Sequence, residues 1–304
     1  ELAFGDPTIF LESLVGKAHH VEVQVIADQH GTVWPVGVRD CSLQRRNQKI
    51  LEESASVSVP PEIRDEMKAA AKRLCEEAGY HNAGTVEFLY EADTGLFFFM
   101  EVNTRLQVEH PVTELTTGLD LVKLQLHVAR GGRLEGDPPP EVGHAIEFRL
   151  NAEDPERGFS PAPGRVDHFR TPAGPGVRVD TGIANGDVIA PEFDAMVAKL
   201  LTYGRDRDEA MARMRRALRE TVAVIHGGTT NKAFLLTLLD RPEVIASEVT
   251  TGWLDQLTLT GEHLAGELLA LVGRRQVFLV EGDERAEDEN HGEQHEQSLG
   301  LHGG

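Results

Sequence analysis

The stretch from Phe97 to Pro111 changes its pattern midway. It opens as an apolar run, Phe97-Phe98-Phe99-Met100, that reads as buried. It then alternates, with Glu101, Asn103, Arg105, Gln107 and Glu109 at every second position and Val102, Leu106 and Val108 among the intervening ones. In extended backbone a period of two puts all five polar groups on one face. Nine extended residues span ~30 Å, too far for one small ligand to touch both ends. The pattern therefore predicts a strand from Glu101 to Arg105 and then a bend that returns Glu109 toward it.

The flanking segments supply a frame. His20 to Ile26 alternates with Val21, Val23 and Val25 on one side and predicts a half-buried strand. His30-Gly31 and Thr32 to Val38 complete a hairpin. Pro60-Pro61 opens a helix with Ile63, Met67, Ala70, Ala71, Leu74 and Ala78 on one face, closed by Gly79. Gly84 to Tyr90 and Leu96 onward form two strands joined at Asp93-Thr94-Gly95, which sets Glu87 opposite Glu101 on the same face. Leu119 to Arg130 reads as an amphipathic helix, and Asp137-Pro138-Pro139-Pro140-Glu141 as a linker. Short strands follow at Ala145 to Leu150, Arg165 to Arg170, Val177 to Val179 and Met196 to Tyr203, separated by Gly and Pro as in an antiparallel sheet. Helices at Asp208 to Thr221 and Thr230 to Leu239 come next. The expected division is 1–136, 137–258 and a helical extension with an acidic tail over 259–304.

Opposed carboxylates destabilise a sheet unless something compensates them. A divalent cation would do so by taking oxygen ligands from Glu87, Glu101 and the Asn103 amide; an ion pair to Arg105 is the plainer alternative. Between Arg39 and Lys49 lie four cations within eleven residues, which reads as either an exposed loop or an anion site. No P-loop and no Gly-x-Gly-x-x-Gly occurs.

Composition narrows the class. A net charge of −20 argues strongly against a nucleic-acid backbone as partner. No run of ~18 apolar residues is present to span a membrane. Two cysteines, Cys41 and Cys75, make no disulfide framework and fit a reducing cytosol. Residues 281–304 carry eight acids against one Arg, a composition expected to stay disordered.

Glu101-Val102-Asn103-Thr104-Arg105-Leu106-Gln107-Val108-Glu109-His110-Pro111-Val112-Thr113-Glu114 resembles the signature of biotin carboxylases, the ATP-grasp components of acetyl-CoA, propionyl-CoA, pyruvate and urea carboxylases. The resemblance runs from about Phe10 to about Leu257. It includes His20 to Gln24, Arg39 to Arg46, Gly84 to Phe88, Glu147-Phe148-Arg149-Leu150-Asn151-Ala152-Glu153-Asp154 and Phe193 to Lys199. Leu119 to Glu135 and Gly227 to Leu254 are most similar to the large acyl-CoA carboxylases. The implied fold is α+β: the C-terminal half of an ATP-grasp fold, then a biotin carboxylase C-terminal domain with antiparallel sheet and helices.

The resemblance implies a cytoplasmic ligase that carboxylates biotin with bicarbonate and ATP through carboxyphosphate. Glu87 and Glu101 would contact ATP through Mg²⁺ or Mn²⁺, with Asn103 as a further metal ligand. Glu109 would be the general base, and Arg105 would stabilise the biotin anion. Lys49, Arg105 and the Val108 backbone would hold bicarbonate, and Arg149 would hold biotin. Glu12, Leu14, Val15, His20, Gln44 and Asn47 would line the nucleotide; Asn47 stands where many members carry His. Implied partners are a biotin carboxyl carrier domain, a carboxyltransferase component and a second copy of the full-length chain. Nothing before Glu12 matches the family's N-terminal domain or its Gly-rich lid, so the expectation is a fragment with little activity alone. The competing expectations are a non-catalytic interaction module and a carbamoyl phosphate synthetase-like ligase, the latter opposed by Arg149 to Asp154.

Overall fold

A computed structural model describes residues 8–9, 11, 14–54, 57–192 and 194–261. Glu12, Phe193 and the expected acidic tail lie outside the described residues, as does most of the expected helical extension.

In chain order the elements are β1 (His19–Ala27), β2 (Val33–Arg45), β3 (Gln48–Ser54), α1 (Pro61–Glu77), β4 (Asn82–Glu91), β5 (Leu96–Asn103), α2 (His110–Thr117) and α3 (Leu121–Ala129). The second half adds β6 (His144–Asn151), a short β7 (Glu153–Asp154) paired with β8 (Ser160–Pro161), β9 (Gly164–Arg170), β10 (Val177–Asp180), β11 (Val188–Ile189) and β12 (Met196–Gly204). It closes with α4 (Arg207–Glu220), β13 (Val222–His226), α5 (Lys232–Leu238), α6 (Pro242–Ile245) and α7 (Trp253–Leu259).

One eight-stranded sheet, in the order β10-β12-β6-β3-β2-β1-β4-β5, organises the molecule. It runs across the Pro-rich linker, because β3 pairs with β6: Leu51 lies opposite Phe148, Glu52 opposite Glu147 and Glu53 opposite Ile146. The linker itself is strapped down, with Glu141 accepting from the Val38 amide and from Lys68. Among the described residues, the two largest of four apolar clusters flank the sheet. One gathers Val21, Val23, Val25 and Phe88 against Met67 and Ala71 of α1. The other joins Leu43, Ile50 and Leu51 to Phe148, Leu200, Met214 and Phe234.

The structure corrects three expectations. First, β1 is buried on both faces rather than one. Its polar side, Glu22 and Gln24, is covered by an ionic network instead of solvent. Second, the basic segment from Arg39 to Lys49 is not an exposed loop. It is the end of β2, a two-residue turn at Arg46-Asn47 and the start of β3. Both turn residues have positive φ (49° and 61°), the geometry of a tight hairpin turn, which Asn tolerates well. Third, the Phe97–Met100 run is not uniformly buried. β5 is the edge strand, and Phe98, Phe99 and Met100 are 42%, 55% and 40% exposed. Hydrophobicity alone does not reveal edge position. An irregularity in the β4–β5 register pairs Phe88 with Phe99 but Glu87 with Glu101. Met100 is the extra residue, and the bulge turns Glu101 toward Glu87, a usual place for such a device.

Candidate active site

The polar face of β1, β2 and β4, the end of β5 and the segment before α2 enclose a cleft of about 640 Å³. Its lining includes His20, Gln44, Asn47, Lys49, Glu87, Glu101, Asn103, Arg105, Val108, Glu109 and Arg149. The predicted bend is present: β5 ends at Asn103, and His110 donates its backbone N–H and bonds through Nδ1 to the Gln107 carbonyl. Glu109 then occupies the N-cap position of α2, but its carboxylate does not cap the helix. It turns inward and is 2% exposed.

Two cations hold Glu109. Lys49 Nζ lies 2.6 Å from Oε1 and Arg149 Nη2 lies 3.1 Å from Oε2. Lys49 also donates to Glu22 at 2.7 Å and to Glu87 at 3.3 Å, so its three N–H donors meet three different carboxylates. Burial alone would lower the Lys49 pKa, but the surrounding negative groups outweigh it and drive the pKa up. Arg149 donates through Nε to Glu52 Oε1 at 2.7 Å.

At the other end, Glu87 and Glu101 face each other in register, and Asn103 Nδ2 lies 3.0 Å from one carboxylate and 3.1 Å from the other. Burial would raise Glu87; the hydrogen bond from His20 at 2.9 Å and the charge of Lys49 outweigh it and hold the carboxyl at about 2. The other ring nitrogen of His20, Nδ1, lies 3.4 Å from Gln44 Nε2. A hard cation fits this donor set: two opposed carboxylates, with an amide that presents Oδ1 between them after a half-turn about its last bond.

Behind the cleft stands Arg39, with no exposed surface. Its guanidinium donates to Glu22 at 2.6 Å, to Gln24 and Thr113 at 2.8 Å each, and to Gln107 at 3.3 Å. Gln107 in turn donates to Glu87 at 2.7 Å. Burial pushes Glu22 up, but Arg39 and then Lys49 pull it down to about 2.

The structure thus brings together Lys49, Glu87, Glu101, Asn103, Glu109 and Arg149, with His20, Gln44 and Asn47 along the rim. Arg105 lines the same cleft, exposed, its Nη2 3.4 Å from Asn103 Oδ1. Val108 presents a carbonyl already bound by Lys199 at 2.8 Å. Leu14 and Val15 do not join them: Leu14 is 94% exposed in the segment preceding β1, and neither residue lines the cleft. Val15 is half-buried, and the segment is fastened nearer β1, where Thr251 donates its backbone N–H to the Ala18 carbonyl. The supporting roles of Glu22, Arg39, Glu52, Glu147 and Lys199 escaped the sequence reading. The Glu22/Gln24 alternation carried a signal, whereas Glu52 and Glu147 meet only through strand pairing between distant segments.

A mixed sheet-and-helix scaffold thus carries opposed carboxylates at one end of a cleft and a cation-clamped glutamate at the other, the arrangement that the resemblance to ATP-grasp ligases leads one to expect. Profiles for the "Carbamoyl-phosphate synthase L chain, ATP binding domain" and the "Biotin carboxylase C-terminal domain" match residues 1–136 and 147–256. The acyl-coenzyme A carboxylase alpha3 subunit of Mycobacterium leprae is 50% identical over 260 residues, covering 84% of this chain and 43% of that protein. Biotin carboxylase 1 of Bacillus subtilis is 46% identical over 261 residues, covering 85% and 58%. The biotin carboxylase of Campylobacter jejuni, solved as a β,γ-ATP complex, superposes with a TM-score of 0.80 at 38% identity over 84% of this chain and 56% of that one. The biotin carboxylase domain dimer of Hydrogenobacter thermophilus 2-oxoglutarate carboxylase, solved with MgADP and bicarbonate, gives 0.78 at 38% identity over 81% and 54%. The chain belongs to the biotin carboxylase family. It spans about half the length of the relatives it matches.

Proposed function

We propose that this chain carries the acid–base and metal-binding face of a cytoplasmic biotin carboxylase that uses ATP and bicarbonate, within an acyl-CoA carboxylase. The observation that supports it most is Glu109 clamped between Lys49 and Arg149 in the same cleft as the opposed Glu87–Glu101 pair. Bicarbonate entering beside Glu109 would draw Lys49 and Arg149 toward itself, since both are charge-assisted donors suited to a planar anion. Glu109, no longer engaged by them, is then placed to take the bicarbonate proton. Glu87, Glu101 and Asn103 would hold Mg²⁺ or Mn²⁺, whose role when bound is to neutralise phosphate oxygens. Arg105, exposed in the same cleft, would meet the biotin ring, and Arg149, fixed by Glu52, would orient it.

Within this reading the carboxylated biotin rides on a carrier domain and passes to a carboxyltransferase. The test is ATP-dependent incorporation of labelled bicarbonate into biotin by the intact carboxylase. Lys49→Met should reduce incorporation by about a hundredfold or more, as for loss of a preorganised donor to a developing charge. Undiminished incorporation would remove Lys49, and with it the clamp, from the reaction.

A further inference from the structure

Glu52 on β3 and Glu147 on β6 are directly opposed across the strand pair, and both are fully buried. Opposed residues in an antiparallel pair lie on the same face with Cβ atoms about 5 Å apart. Glu52 Oε1 is satisfied by Arg149, whose Nε donates at 2.7 Å and whose Nη2 lies at 2.6 Å. Glu52 Oε2 and both Glu147 oxygens are buried without a hydrogen-bond partner among the described residues. Two ionised carboxylates cannot coexist so close and so dry, because like charges sharing a site force one to keep its proton. The asymmetry in partners decides which. The carboxylate on Arg149 stays ionised, and the one without partners stays neutral.

We propose that Glu52 and Glu147 hold a single proton between them, with Glu147 as the neutral acid donating to Glu52 Oε2, and that this pair is the positioning element that aims Arg149 at Glu109. Only the target of Arg149 rests on the carboxylation reading; the shared proton does not. Arg149 is common to both sides, linking Glu52 Oε1 to Glu109 Oε2. The other charged groups acting on the pair are Lys49 on β3 and Lys199 on β12, which favour the ionised form, and Glu109 before α2, which opposes it. The two lysines do not overcome burial: burial foremost, then the charge on Glu52, lifts the Glu147 carboxyl well above the usual carboxylate range. Burial pushes Glu52 upward as well, but the Arg149 guanidinium at 2.6 and 2.7 Å pulls against it, so the shared proton sits on Glu147.

Infrared difference spectroscopy on this chain at neutral pH tests the proton directly. Wild type should show the carbonyl stretch of a buried protonated acid, sensitive to deuterium exchange. It should be lost in Glu147→Gln and kept, at a shifted frequency, in Glu52→Gln. Gln reproduces the size and neutrality of the protonated acid, so Glu147→Gln retains the fold. Positioning is read separately from the Arg149 Nε–H resonance, assigned by its loss in Arg149→Lys. Its solvent exchange should remain slow in wild type and Glu147→Gln and accelerate at least tenfold in Glu52→Gln. No protonated-acid band in wild type, or a band that survives Glu147→Gln, overturns the shared proton. Unaltered Nε–H exchange in Glu52→Gln overturns the positioning role. Neither readout needs turnover, so both stand whether or not carboxylation is the reaction.

Discussion

Lys49 Nζ lies 2.6 Å from Glu109 Oε1 and reaches Glu22 and Glu87 with its remaining donors. A compact ammonium with three divergent N–H bonds suits three separate carboxylates, whereas a guanidinium presents its donors in one plane. Lys49→Arg should therefore keep the charge and lose the geometry. In the intact carboxylase it is expected to raise the KM for bicarbonate at least tenfold. A wild-type KM in steady-state assays would show that charge alone suffices.

Arg39 is a larger liability to stability than to chemistry. With no exposed surface, it compensates Glu22 and fixes Gln107 behind Glu87. Arg39→Met leaves the Glu22 carboxylate buried with Lys49 as its remaining cation. Removing one partner of a buried pair costs about 3–5 kcal/mol. Urea unfolding should show a lower midpoint with an unchanged slope; a midpoint within error of wild type would contradict the network's role.

At the metal end, Glu101 is exposed and hydrogen-bonds Asn103, so its removal perturbs the fold little. Glu101→Gln should weaken Mn²⁺ binding by about tenfold or more, equivalent to ~1.4 kcal/mol, with thermal stability preserved. Equilibrium dialysis with Mn²⁺ measures this. Equal affinity in the two proteins would favour the non-catalytic interaction module.

Acid sensitivity follows from Glu22 and Glu87, both held near 2 in the fold. Their depressed values mean that the stabilisation is fully present above the unfolded carboxylate pKa of about 4.3. It is lost as pH falls from there toward 2. Each contributes on the order of 3 kcal/mol, and the shared Lys49 makes the two non-additive. Glu147 has the opposite sign: its raised pKa costs stability progressively as pH rises above the unfolded value. Glu147→Gln should thus gain on wild type with increasing pH in denaturation series, and Glu87→Gln should flatten the acid limb. An unchanged pH profile in either variant would contradict these environments.

Much of this was legible in the chain. The turn at Asp93-Thr94-Gly95 and the alternation from Glu101 to Glu109 made the β4–β5 hairpin and its polar end legible, but the turn's own register would set Glu87 opposite Met100, and the bulge there brings Glu101 opposite it. Less local facts were hidden. The bulge at Met100 has no compositional mark. Exposure of Phe98 and Phe99 depends on β5 being an edge strand. Arg39 to Lys49 read equally as an exposed loop or an anion site, because Glu22, Glu87 and Glu109, which partner Arg39 and Lys49, lie elsewhere in the chain. Glu52 and Glu147 became a pair only when β3 met β6, across the linker that had suggested separation.

Glu109 carries the central assignment, and one substitution tests it most directly. Glu109→Gln keeps the size of the side chain and removes its capacity to accept a proton. In the intact carboxylase, bicarbonate-dependent ATP cleavage should fall by about 10²–10⁴-fold, the usual contribution of a positioned general base, while nucleotide affinity stays within about twofold, well under the ~1.4 kcal/mol of a tenfold change. Cleavage at close to the wild-type rate in Glu109→Gln would contradict the assignment of Glu109 as the base.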